Sequence, residues 1–274
     1  MTTVTRRRSI VGGLLLVAIF AFWLYLEGYA SSLRNPRFLD GWVLLIGLFL
    51  LTLLNVRKKV PQLPLWPVAH WLRFHVYVAW FVVAAFAFHT KFELPGGLLD
   101  IMIWYLFVFM AISGFAGLFL SMKLPRYLAQ LGPPVLFEQF APSRALLAND
   151  VKERVSQLMS VEASETLSRL YLQSLQPYFG RMSFGFGHLA GTPPPLAQVK
   201  AVVEGAKSSV GEKTTALLVE LLELAVEKDR LDRQYTLQRI LRFWLFFHIP
   251  IAWSLLIFVI VHAVSAYGFS AGAP

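Results

Sequence analysis

HVYVAWFVVAAFAFH (75–89) and HIPIAWSLLIFVIVH (248–262) decide how this chain folds. Each is an apolar run bounded by two histidines, and the interval is the same in both: His75 to His89 and His248 to His262. In a helix rising ~1.5 Å per residue, the second imidazole of each run lies ~21 Å beyond the first and ~40° short of four full turns. Both histidines of a run therefore face one way, at two depths of an apolar layer. Two such helices side by side set a His/His pair at each depth.

The composition around these runs is that of a membrane protein. Hydrophobic residues make up 57% of the chain and charged residues 15%, against roughly 45–50% and 25% in soluble domains. A net charge of +9 raises the question of nucleic acid. The Lys and Arg residues, however, cluster beside apolar runs, with no continuous basic helix or aromatic RNA-binding signature, so no nucleic-acid partner is expected. Cysteine is absent, which excludes disulfides, thiolate-held iron–sulfur clusters, covalently attached c-type haem and a cysteine nucleophile. There is no Gly-x-Gly-x-x-Gly or Walker loop, so the chain shows no nicotinamide, flavin or ATP domain of its own, and electrons must come from, and go to, something else.

Five segments approach the ~20 apolar residues needed to cross a bilayer: Ile10 to Tyr29, Trp42 to Leu54, Leu72 to His89, Leu98 to Ser121, and Ile240 to Tyr267. The apolar core behind Arg6-Arg7-Arg8 exceeds the 7–15 residues of a cleaved signal, which predicts an uncleaved anchor. The second segment is short and carries Asp40 at its edge, so that alone it reads equally as re-entrant. If all five cross, Arg6 to Arg8, Arg57 to Lys59 with Arg73, Lys123 with Arg126, and Arg239 with Arg242 share one side, the cytoplasmic side by the positive-inside rule. The other side keeps sparse mixed charge: Glu27, Arg34, Arg37, Asp40, Lys91, Glu93 and Asp100. The third and fifth spans are then parallel, pairing His75 with His248 on the inner level and His89 with His262 on the outer.

The domain organisation expected from this is an N-terminal transmembrane anchor over 1–37, spans two to four over 38–122, a helical cytoplasmic insertion over 123–239, and a fifth span over 240–274. In the insertion, helices are expected at Ser143 to Met159, Val161 to Tyr178, and from Thr214 onward into the fifth span. Glu223, Glu227, Lys228, Asp229, Arg230, Asp232 and Arg233 are expected to form a solvated face. Gly185, Gly187, Gly191 and Pro193 to Pro195 mark a loop.

Intramembrane histidines are costly without partners, which makes them functional candidates. An ordinary interhelical hydrogen bond at each is the plainer account, and it leaves the shared interval to coincidence. Zinc and copper want three or four close ligands, and two per level suit a haem, whose porphyrin supplies four more. The iron ligands expected are His75 and His248 on the inner haem, His89 and His262 on the outer. Arg73, Arg242 and Lys91 are candidate propionate partners, with topological anchoring as the alternative. Gly114 and Gly117 permit close approach of a macrocycle or a helix, and Pro250 is expected to bend the fifth span near the inner pocket. His70 and His188 are expected to lie at the surface or interface.

Paired histidines with thirteen residues between them, on two helices with one helix between, resemble the dihaem four-helix bundles of cytochrome b in quinol:cytochrome c oxidoreductases and of ferric-reductase-like transmembrane proteins. The resemblance rests on His75, His89, His248 and His262 and covers spans two to five, about half the chain. It implies two haem b groups. The chain departs from both groups: it shows no flavin and nicotinamide module, no Pro-Glu-Trp-Tyr motif, an extra first span and a large insertion. It is therefore assigned to neither.

The expected protein is all-α and polytopic, with five transmembrane helices, a dihaem four-helix bundle and a helical cytoplasmic insertion, seated in a bacterial cytoplasmic membrane. Its expected work is electron transfer through two bis-histidine haems. It would act as the membrane subunit of a redox complex exchanging electrons between quinone or quinol and a multihaem c-type cytochrome or iron–sulfur protein. Quinone is expected near Trp66, His70, Trp71 and Arg73, or near Lys91 and Glu93. The alternatives are a cofactor-free anchor or scaffold whose insertion docks a partner, and a metal or proton transporter using the histidines as relays.

Overall fold

The computed structural model describes residues 3–32, 36–59, 66–161, 165–180, 194–208 and 210–270. His188, Arg34, the loop glycines 185, 187 and 191, Pro193, and residues 61–65 of the Pro-rich segment lie outside them. Helices in order are α1 (Thr3–Ser31), α2 (Pro36–Lys59), α3 (Val68–Thr90), α4 (Leu98–Gln130), α5 (Phe140–Val161), α6 (Glu165–Leu170), α7 (Gln176–Gly180), α8 (Pro194–Lys207) and α9 (Glu212–Ser270). A 3₁₀ turn precedes α5, and a π-helical stretch, Tyr171–Leu175, joins α6 to α7. No strand occurs among the described residues.

Five of these helices, α1 to α4 and α9, are long and apolar enough to cross a membrane. Apolar side chains such as Leu14, Phe109 and Phe246 are exposed on their outer faces, a surface that lipid rather than water satisfies. The chain is an integral membrane protein. The second span, short by apolar count, is a 24-residue helix, enough to cross ~30 Å of hydrocarbon at ~1.5 Å per residue. α4 continues past Ser121 through Pro125 to Gln130, and α9 runs unbroken through Pro250.

The chain divides into two compact units, 1–119 with 244–274, and 120–243. The expected insertion, 123–239, falls inside the second. In the first, Leu44 of α2, Val82 and Ala85 of α3, Phe107 of α4 and Leu255 of α9 form one buried core, with Phe22 of α1 packed against it. Phe86 and Phe107 stack with ring centroids 3.8 Å apart. Gly47 lets α2 approach α3 closely, since a Cβ there would come within 2.5 Å of the Val82 side chain.

The second unit is built on helical stripes. Val151, Val155 and Leu158 of α5, Leu196, Val199, Val203 and Ala206 of α8, and Leu218, Leu221 and Ala225 of α9 recur at helical spacing and share one core. The helix α8 has no counterpart in the sequence reading, because the prolines that mark a loop also start a helix, where a missing N–H costs nothing.

The expected solvated face of α9 is only partly solvated. Glu223 is exposed, but Lys228, Asp229 and Asp232 are buried. Lys228 donates to the Asp232 carboxylate one turn on and lies over the Tyr178 ring, 4.4 Å from its centroid. Asp229 pairs with Arg233 at 2.7 Å. The Tyr178 hydroxyl donates to the Ala225 carbonyl at 3.0 Å. Burial first, then the Asp229 and Asp232 carboxylates, push that phenol above its ordinary range. Gln234, fully buried, accepts from the Val135 N–H and donates to the carbonyls of Leu131 and Pro133. It pins the turn after α4, where Gly132 takes the left-handed conformation.

Removing one member of a buried ion pair strands the other. Asp232→Ala should lower stability by about 3–5 kcal/mol, while a Lys228→Met/Asp232→Leu double variant should lose far less. Denaturant unfolding of the two variants checks this, and equal losses would show that the pair is not desolvated as described.

Candidate functional site

The four membrane histidines lie in the first unit, on α3 and α9, and each ring is tied to a neighbouring helix through the same nitrogen. His75 Nδ1 lies 3.1 Å from the Leu51 carbonyl oxygen and His89 Nδ1 2.7 Å from Asp40 Oδ1, both on α2. On the other side, His248 Nδ1 lies 2.9 Å from Ser113 Oγ and His262 Nδ1 2.8 Å from Asp100 Oδ1, both on α4. Rising numbers on α3 meet falling numbers on α2, and likewise for α9 and α4, so each pair of helices is antiparallel.

A carbonyl or carboxylate oxygen can only accept. His75, His89 and His262 therefore donate from Nδ1, and the neutral ring keeps its lone pair on Nε2. Ser113 can donate or accept. The indole N–H of Trp244 donates to the Ser113 carbonyl at 3.0 Å and approaches its hydroxyl at 3.2 Å, fixing the serine from one turn before His248. Asp40 is 3% exposed, so its carboxylate is committed to the histidine rather than to water.

His89 and His262 line one cavity of about 540 Å³ between α2, α3, α4 and α9, inside the roughly 300–1,000 Å³ range of cofactor and ligand sites. Its wall includes Gly41, where a Cβ would stand 3.6 Å from His89 Cε1. Trp42 and Tyr267 also line it, the indole N–H donating to the tyrosine hydroxyl at 2.5 Å and linking α2 to α9. At the other level, His75 and His248 lie close enough for their charges to interact with each other and with Lys58. The structure thus brings His89 together with His262, and His75 with His248. Among the described residues no group of three or more His, Asp or Glu side chains gathers to hold a metal.

The other expected site residues are placed as follows. Arg73 is exposed at the start of α3, and Lys91 is exposed just beyond its end in the left-handed conformation. Arg242 belongs to the second unit, where its guanidinium pairs with Glu138 at 3.1 Å and lies 3.8 Å over the Phe137 ring. Trp66 and His70 are exposed, Trp71 is half-buried, and Glu93 lines the cavity of His89 and His262. Of the two glycines singled out, Gly117 is a packing position, since a Cβ would collide with the Trp244 ring, and Gly114 faces open space.

Several residues of the site were not singled out from the sequence: Asp40, Asp100, Ser113, Trp244 and Lys58. Both acids open a span that runs antiparallel to a histidine helix, and that position is the signal they carry. Comparison of the chain with protein-family models, curated proteins and solved structures finds no match.

The two glycines should respond with opposite signs. Gly117→Ala forces the Trp244 ring away and should cost about 1–3 kcal/mol, whereas Gly114→Ala should gain roughly 0.5–1 kcal/mol from reduced chain entropy. Thermal melting in detergent reads both, and a Gly117→Ala variant that melts no lower than the parent chain would refute the assignment of Gly117 to the α4–α9 contact.

Proposed function

We propose that the chain is a dihaem b-type cytochrome that carries electrons across a membrane. His75 with His248 would hold one haem, and His89 with His262 the other. The observation that carries this reading is the common use of Nδ1: a hydrogen bond there sets the tautomer, orients the ring and leaves Nε2 as the ligating atom, the arrangement metal-binding histidines require. His248 would complete the set with Ser113 accepting its Nδ1 proton.

The residues fit the group. Two neutral imidazoles per level and no thiolate match a bis-histidine haem, the cavity shared by His89 and His262 has cofactor size, and glycine stands beside one ring. A haem held by two imidazoles exchanges one electron at iron with no position left for substrate. This chain's side chains would hold it and orient it. The resemblance to the cytochrome b and ferric-reductase-like bundles supports the same reading without assigning a subfamily.

Charge placement supports a cytoplasmic N-terminus and a cytoplasmic 123–239 segment in a bacterial inner membrane, with His89 and His262 toward the outside. A wire with no nicotinamide or flavin motif of its own takes its electrons from, or gives them to, partners. We propose quinone or quinol on one side, and a multihaem c-type cytochrome or iron–sulfur subunit on the other. Lys58 joins Arg73 as a candidate propionate partner at the inner level.

The same four hydrogen bonds favour one competing reading. Each joins a histidine helix to its neighbour, which is what a cofactor-free anchor would need. The dithionite-reduced minus oxidised spectrum, with haem counted as the pyridine haemochrome, separates the two. Two haems b per chain, unreactive to carbon monoxide, are expected, and His89→Ala should remove one and leave the other. Protein made with ample haem that binds none would sink the cytochrome reading in favour of the anchor.

A further inference from the structure

The four histidines share a hydrogen-bonded nitrogen but not the character of its partner. At one level both partners are carboxylates, Asp40 on His89 at 2.7 Å and Asp100 on His262 at 2.8 Å. At the other they are a backbone carbonyl and a hydroxyl, Leu51 on His75 and Ser113 on His248. A carboxylate accepting the Nδ1 proton pulls it from the ring and makes Nε2 a stronger electron donor than a neutral acceptor does. Stronger donation by both axial ligands favours the oxidised iron.

The surrounding charges lean the same way. Lys58 stands two turns beyond Leu51 on α2, the helix whose Leu51 carbonyl holds His75, and a cation there would favour the reduced, less positive iron at that level. Arg37, Glu93 and Asp100 line the cavity of His89 and His262, and Lys91 follows His89 by two residues.

We propose that Asp40 and Asp100 are positioning residues that set the His89/His262 haem at a lower reduction potential than the His75/His248 haem, so that the inner site takes the first electron in an equilibrium reduction. The proposal rests on the dihaem reading above. It concerns hydrogen-bond strength and fixed charge and involves no proton released or taken up.

The test is potentiometric titration of the full chain in detergent, followed at the haem alpha band, after the haem content of each variant has been counted. Two one-electron waves are expected. Asp100→Asn and, on a different helix, Asp40→Asn each keep an oxygen acceptor and remove the charge. Either should raise the lower wave by at least tenfold in the reduction equilibrium, about 59 mV for one electron, and leave the upper wave in place. Ser113→Ala should leave the lower wave where it is, and a purely structural role for the aspartates would move neither potential. Two haems per chain with a lower wave indifferent to both aspartate variants, or with the upper wave moving instead, would overturn this inference and leave the dihaem reading standing. A chain that binds no haem would overturn both, and the haem count tells the two failures apart.

Discussion

Four hydrogen bonds at imidazole Nδ1 set the register of the membrane unit. In lipid there is no hydrophobic force to bring apolar helices together, so close packing and interhelical hydrogen bonds must do it, each polar bond contributing roughly 0.6–2 kcal/mol. Here two bonds tie α3 to α2 and two tie α9 to α4. Each bond also fixes the rotation of a ring about its own helix. Where the Nδ1 nitrogens point toward the neighbouring helix, the Nε2 nitrogens point away from it, and the site is a by-product of the way the helices are held.

That arrangement explains why some of the site was legible in the sequence and some was not. The interval from His75 to His89, repeated from His248 to His262, is readable because helical rise and pitch convert it directly into depth and facing. Partners across a helix pair carry no such signature. Asp40 stands far from His89 in sequence and Ser113 farther still from His248, and which side of α2 or α4 faces the ring depends on the packing of Gly47 and Gly117 against α3 and α9. Asp40 therefore looked like a charge weakening the edge of a short span. Topology rules, which weigh lysine and arginine and nearly ignore acids, offered nothing to correct that. Lys58 was hidden for the opposite reason: it belongs to a basic cluster whose topological role is sufficient explanation in a sequence.

The second unit misled in a different way. Charges at successive turns of α9 look like a water-facing surface, and a period alone cannot say whether charges are solvated or paired. Lys228 and Asp232 satisfy each other within one turn, the Tyr178 ring covers the ammonium, and Gln234 answers three backbone groups of the preceding turn. Such a row adds little net stability over apolar residues of the same volume. It ties α9 to Tyr178 and to the turn after α4 through named polar contacts.

The antiparallel pairing of α4 with α9 also bears on how the first unit holds its histidines. Gly117 and Trp244 are in contact, although everything between Leu120 and Phe243 lies outside the first unit. Within the membrane unit, α4 and α9 are thus held side by side at this level by a glycine and an indole. The depth at which each histidine sits is thus set inside the first unit, by contacts among its own helices.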